Sequence, residues 1–153
     1  MPAKLTVKLS NLKHNIDSIK EKIHDGQEIL AMVKADAYGS GLVEATKYLE
    51  ENGIKNFGVA YLKEAKKLRN NGIKGKIVVF SGLLPYETEE AVNVDAIYSV
   101  SNTEILKDLN EKATSPLLFA YIFPLSGFSP SIICITSSYI LPLKFLLSIK
   151  PLL

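Results

Sequence analysis

Acidic residues stop at Glu111. All sixteen lie between Asp17 and Glu111, and only two of the eighteen basic residues, Lys144 and Lys150, come later. The absence divides the chain. Residues 1–113 are charge-balanced, as a soluble domain would be, and residues 114–153 form a low-charge apolar tail outside the fold. A formal net charge of +2 is too small to argue for a nucleic-acid partner. The single cysteine, Cys134, excludes an intramolecular disulfide and offers no metal-ligand spacing. His14 and His24 have no carboxylate or cysteine spaced to share a metal with them and read as surface residues. The N-terminus runs straight into an amphipathic pattern, so no signal peptide is expected and the chain reads as cytoplasmic.

What is present is periodic. With 153 residues and 47% hydrophobic content, one domain with its own core is expected. Leu9, Leu12, Ile16, Ile19 and Ile23 alternate at spacings of three and four, which predicts an apolar helix stripe closed by Gly26. Residues 28–34 read as a mostly apolar strand and Gly39-Ser40-Gly41 as the turn out of it. Leu42, Ala45, Thr46 and Leu49 form a second stripe, ended by Asn52-Gly53. Strands are expected at 57–61, 76–80 and 96–100, with a helix over 62–71 and a short acidic helix over 86–92. Ser101-Asn102-Thr103-Glu104 reads as a capping box before Ile105, Leu106 and Leu109.

A helix followed by four strand–helix pairs indicates a parallel sheet with crossover helices. The wording Asn-Gly-Ile-Lys occurs at 52–55 and 71–74, which fits either a βα repeat or a reused left-handed helix stop. The pattern leaves an open doubly wound sheet and half of an eight-stranded barrel equally open, and both place sites at the C-terminal edge of the strands.

Gly39-Ser40-Gly41 is not a dinucleotide fingerprint, because Glu44 occupies the third glycine position. Lys63, Lys66, Lys67 and Arg69 read as the solvated face of a helix. Lys34 is different. A cation at the mouth of an apolar strand is costly to desolvate, which favours amine chemistry toward aldehydes.

Val33-Lys34-Ala35-Asp36-Ala37-Tyr38-Gly39-Ser40-Gly41 resembles the lysine motif of the alanine racemases. Leu12-Lys13-His14-Asn15, Phe57-Gly58-Val59-Ala60, Glu64-Ala65-x-x-Leu68-Arg69 and Gly72-Ile73 extend the similarity across roughly residues 4–113. The resemblance implies an α/β fold, the N-terminal half of a (β/α)8 TIM-type barrel of fold type III, followed here by an unrelated apolar tail. It implies pyridoxal 5'-phosphate (PLP) as cofactor, with Lys34 as its anchor and as one of two acid/base groups. Tyr38 is the residue implied to bind the cofactor phosphate. The implied reaction is the interconversion of L- and D-alanine for cell-wall synthesis, in a homodimer. Ser40 departs from the pattern, since the family usually has histidine there.

In the family the second acid/base group is a tyrosine of the partner subunit's C-terminal domain. Tyr98, Tyr121 and Tyr139 lack its surrounding sequence, and the downstream Lys-x-Asp-Thr-Gly-Met-x-Arg segment has no counterpart. The chain therefore reads as a truncated form, inactive alone. Beyond Ala113 the composition turns to Leu, Ile, Phe, Ser and Pro, as an out-of-frame reading of an A/T-rich gene would give. The uncharged 28 residues from Pro116 to Leu143 raise a membrane anchor as an alternative. Pro124, Gly127, Pro130 and Pro142 cut that run into pieces shorter than the roughly 20 residues a span needs, so no membrane partner is expected. A PLP-binding barrel fragment without catalysis is the other alternative.

Overall fold

The computed structural model describes residues 6–100, 102–113, 118–122 and 132–136. Six strands lie side by side in chain order: β1 (Leu30–Met32), β2 (Asn56–Val59), β3 (Lys76–Val79), β4 (Ile97–Val100), β5 (Leu118–Ile122) and β6 (Ile132–Thr136). β1 through β5 pair parallel, and β6 returns antiparallel to β5. The connecting elements are α1 (Leu9–Lys20), α2 (Lys34–Gly39), α3 (Leu42–Glu51), α4 (Leu62–Asn70), a 3-10 turn (Pro85–Glu87), α5 (Thr88–Ala91) and α6 (Thr103–Lys112). A doubly wound sheet reverses its strand order at a switch point. Here the order β1-β2-β3-β4-β5 never reverses, which is the order of a βα barrel. Of the two architectures that periodicity left open, the barrel half is the one observed.

Residues paired across a parallel ladder point to the same face, and alternate residues point to opposite faces. Phe57 pairs with Ile77, and Val59 with Val79, which in turn pairs with Tyr98. All five are fully buried, with Leu62, Ala65 and Leu68 of α4 in the same core. The other face carries Met32, Gly58 and Val78, and Met32 is 36% exposed. A Cβ at Gly58 would collide with Met32 Sδ and lie 2.9 Å from Phe80 Cε2, so a larger residue there would have to displace both side chains.

The helices largely follow their stripes. Leu42, Ala45, Thr46 and Leu49 of α3 are buried, and the Thr46 hydroxyl donates to the Leu42 carbonyl at 2.6 Å. α1 is shorter than its stripe: it stops at Lys20, leaving Ile19 46% exposed and Ile23 outside the helix. Lys20 Nζ donates to the Asn52 carbonyl at 2.9 Å and ties the end of α1 to the end of α3. The cap of α6 also differs from expectation. Asn102, one residue after Ser101, accepts from the Glu104 N–H at 2.7 Å and starts the helix. Ser101 itself lies outside the described residues.

The two Asn-Gly-Ile-Lys exits are the same cap. Gly53 and Gly72 have φ of 86° and 85°, and the following Ile54 and Ile73 donate back to Leu49 and Leu68. Both isoleucines are buried, which completes the polar and apolar halves of the stop. The second exit is one residue longer. Gly75 fills it, where a Cβ would meet Phe57 Cε2 at 2.6 Å and the Lys55 carbonyl at 2.7 Å.

Tyr98 is fully buried, and its hydroxyl donates toward the Ala91 and Val94 carbonyls at 2.9 and 3.0 Å. Burial, with the nearby Asp95 charge, pushes the phenol well above its ordinary 10.0. A raised pKa in the fold leaves stability intact below the unfolded value and removes it as pH climbs past that value. Tyr98→Phe should lower stability by about 1–2 kcal/mol at neutral pH. It should also flatten the loss of stability above about pH 10, as urea unfolding at about pH 8 and about pH 10.5 will show.

Candidate active site

The end of β1 is wound against the usual hand. Val33 still reaches the sheet, its N–H donating to the Gly58 carbonyl at 2.8 Å, but its ψ of 14° turns the chain away. Ala35, Asp36, Ala37 and Tyr38 then hold φ between 51° and 55° with ψ between 38° and 51°. That is one left-handed turn without a glycine. Such geometry costs roughly 1–2 kcal/mol per residue, because Cβ crowds the following carbonyl. The strand expected over 28–34 is therefore shorter, and Lys34 starts the left-handed turn instead of ending the strand.

Specific bonds hold the turn. Ala37 N–H donates to the Val33 carbonyl at 2.9 Å, and Gly41 N–H donates to the Asp36 carbonyl at 3.0 Å. The Asp36 side chain accepts from the Leu42 N–H at 2.9 Å, so the turn caps α3. Asp tolerates the left-handed region better than most residues, and Ala35 and Ala37 present only a methyl to it. The third support comes from another βα unit. Glu64 Oε1 accepts from the Ala35 N–H at 2.8 Å, while Oε2 accepts from Ala60 and Tyr61 N–H at 2.8 and 3.1 Å. Glu64 is buried, and its three charge-assisted bonds offset the cost of removing the carboxylate from water.

Lys34 and Tyr38, the two residues singled out in the sequence, stand one turn apart at the C-terminal rim of the sheet. Lys34 is half-buried, and Tyr38 is 67% exposed. Neither Lys34 Nζ nor the Tyr38 hydroxyl bonds another described residue. A primary amine and a phenol are thus left available on one rim. Ser40 is half-buried on the same loop, its N–H donating to the Ala37 carbonyl at 3.1 Å. Tyr98 is not on the rim, since its hydroxyl is spent inside the core. Side chains of β5, which include Tyr121, and all of Tyr139 lie outside the described residues. Among the described residues no helix is long and apolar enough to cross a membrane, and no three His, Cys, Asp or Glu side chains cluster as metal ligands.

Two residues do more than the sequence announced. Arg69, read as part of a solvated basic face, is largely covered. Its Nη1 donates to the Ile73 and Gly75 carbonyls at 2.7 and 2.8 Å, and its Nε to the Asp95 carbonyl at 2.7 Å. Lys63, Lys66 and Lys67 are exposed as expected. Glu64 appeared only as one letter of a family similarity. The available signal was an acid at the third position of a helix, where it reaches back to the N-cap N–H.

A parallel βα sheet with a free lysine and tyrosine on the turn after its first strand defines the N-terminal portion of a lysine-bearing βα barrel. The family model described as alanine racemase, N-terminal domain, matches residues 7–118. The chain belongs to that family. It is 36% identical to an alanine racemase of Geobacter sulfurreducens over 110 residues, 70% of this chain and 29% of that protein. An alanine racemase structure from Clostridium difficile superimposes with a TM-score of 0.65 at 32% identity, covering 68% of this chain and 27% of that one. A histidine racemase structure from Leuconostoc mesenteroides gives 0.61 at 33% identity, covering 67% and 27%. The chain thus spans under a third of the length of the relatives it matches.

Asp36→Ala removes the acceptor that caps α3 and should cost about 1 kcal/mol in urea unfolding. Asp36→Asn keeps both the acceptor and the tolerance for left-handed geometry, so it should stay within about 0.5 kcal/mol of the parent.

Proposed function

We propose that this chain is the cofactor-anchoring part of a PLP-dependent amino-acid racemase, acting in the cytoplasm on alanine as part of a homodimer. The observation that carries the reading is the Lys34–Tyr38 turn, with its amine and phenol unengaged on the C-terminal rim. The donor set suits the group: a primary amine for the aldehyde and a hydroxyl for the phosphate. Lys34 would hold the cofactor, and Tyr38 would donate to its phosphate. When bound, PLP supplies an electron sink for the charge left by removal of the α proton. Lys34 then moves that proton on one face of the amino acid, a role typically worth about 10²–10⁴ in rate.

A group on the opposite face completes racemisation. This chain's own sequence offers no match to the family tyrosine that serves there, so the chain alone holds PLP and does not racemise. The same reading takes residues 1–113 as the racemase-type part on the strength of the charge boundary at Lys112, and 114–153, which adds β5 and β6 to the edge of the sheet, as a low-charge apolar tail. Alanine is favoured as substrate by the names of most relatives, and the histidine racemase keeps other amino acids within the test.

The test is chemical. The full chain is incubated with PLP, reduced with borohydride and mapped by mass spectrometry. A single phosphopyridoxyl group on Lys34 is expected, absent from Lys34→Ala and needing about tenfold more PLP in Tyr38→Phe. Label spread over surface lysines would sink the assignment. Conversion of L-alanine to D-alanine should stay at background with this chain alone.

A further inference from the structure

We propose that Glu64 is the positioning residue that sets Lys34 and Tyr38 at their working separation, an inference that rests on the cofactor reading above. Three left-handed residues separate Lys34 from Tyr38, itself the fourth, so the geometry of that turn decides where amine and phenol stand relative to each other. The local bonds of the turn run within Val33–Leu42. Glu64 is different: it lies 29 residues away in sequence and bonds the Ala35 N–H, the first peptide after Lys34. Its other oxygen is fixed by the Ala60 and Tyr61 N–H groups at the end of β2, the strand paired with β1. The carboxylate therefore references the turn to the sheet.

Charge and shape both matter here. Three N–H donors converge on two oxygens, and a carboxylate offers acceptors only. The amide of glutamine keeps one oxygen. It can serve the β2 end or Ala35, and its NH2 then faces an N–H donor. Glu64→Gln thus releases one loop while leaving the side-chain volume nearly unchanged. Glu64→Asp keeps the charge but is one methylene shorter. It serves the nearby Ala60 and Tyr61 groups and falls short of Ala35.

The readout is a preference and not an activity. PLP and pyridoxal carry the same aldehyde and differ in the phosphate, so the ratio of their labelling of Lys34 reports whether Tyr38 is placed to receive it. Lys63, exposed on α4, serves as the internal reference in the same digest. Leu68→Ala, which empties a fully buried site on the same helix, controls for lost stability. The parent and Leu68→Ala should favour PLP over pyridoxal at Lys34. Glu64→Gln should cut that preference about tenfold. If Glu64→Gln fails to fold, Glu64→Asp carries the test, with the same expected loss. A Glu64 variant that keeps the parent's preference overturns the proposal, and so does an equal loss in Leu68→Ala. A parent with no labelling at Lys34 overturns the cofactor reading instead, and the positioning role with it.

Discussion

Winding Ala35, Asp36, Ala37 and Tyr38 left-handed puts several kcal/mol of backbone strain on the rim of the sheet. Strain of that size persists only where the surroundings over-determine it, and here they do. Val33 is locked to β2, Asp36 to the first peptide of α3, and Ala35 to a carboxylate on α4. β1, β2, α3 and α4 thus all depend on one turn being wound the unusual way, and the turn depends on them. Glu64, nearly buried, meets the turn at its first peptide, where the Ala35 N–H donates to it.

The remaining loops follow a similar economy, with one long side chain closing several backbone groups. Arg69 gathers three carbonyls from the exits of α4 and the approach to β4. Glu50, at the end of α3, accepts from the Lys74 and Gly75 N–H groups at 2.9 and 2.6 Å. Asn56 donates to Glu28 and to the Ile29 carbonyl ahead of β1. These ties lie toward the N-terminal edge of the strands, opposite the rim of Lys34. The lower loops are therefore stitched by side chains remote from Lys34, and the upper rim keeps its amine and phenol free.

The sequence was most legible where burial alone decides. The stripes of α3 and α4 and the apolar strands β2, β3 and β4 fall where periodicity puts them, because one face of each meets the core. It was least legible where a bond between distant residues decides. Little in Val33–Gly41 announces a left-handed turn, since Ala and Tyr are ordinary right-handed residues, and one of the bonds that holds it comes from a carboxylate in another unit. Arg69 follows three lysines in the basic run, and where they stay exposed its guanidinium reaches inward to three carbonyls. Ile19 belongs to the α1 stripe by spacing, yet α1 ends one residue later and the core does not extend that far. Lys34 and Tyr38 stood out because they belong to a long motif, and the structure places both on one turn.

The sheet also carries a change of polarity. Strands β1 to β5 all point their C-terminal ends at the rim that holds Lys34, but β6 runs the other way, so that Thr136 pairs with Leu118 at the start of β5. A sheet built only from βα repeats delivers each successive loop to the same side, like spokes leaving one face of a wheel. β6 breaks that pattern: its last residue lies at the opposite edge of the sheet, the edge where Arg69 and Glu50 stitch the lower loops. Among the described residues, the strands that end on the rim of Lys34 are therefore the parallel ones alone.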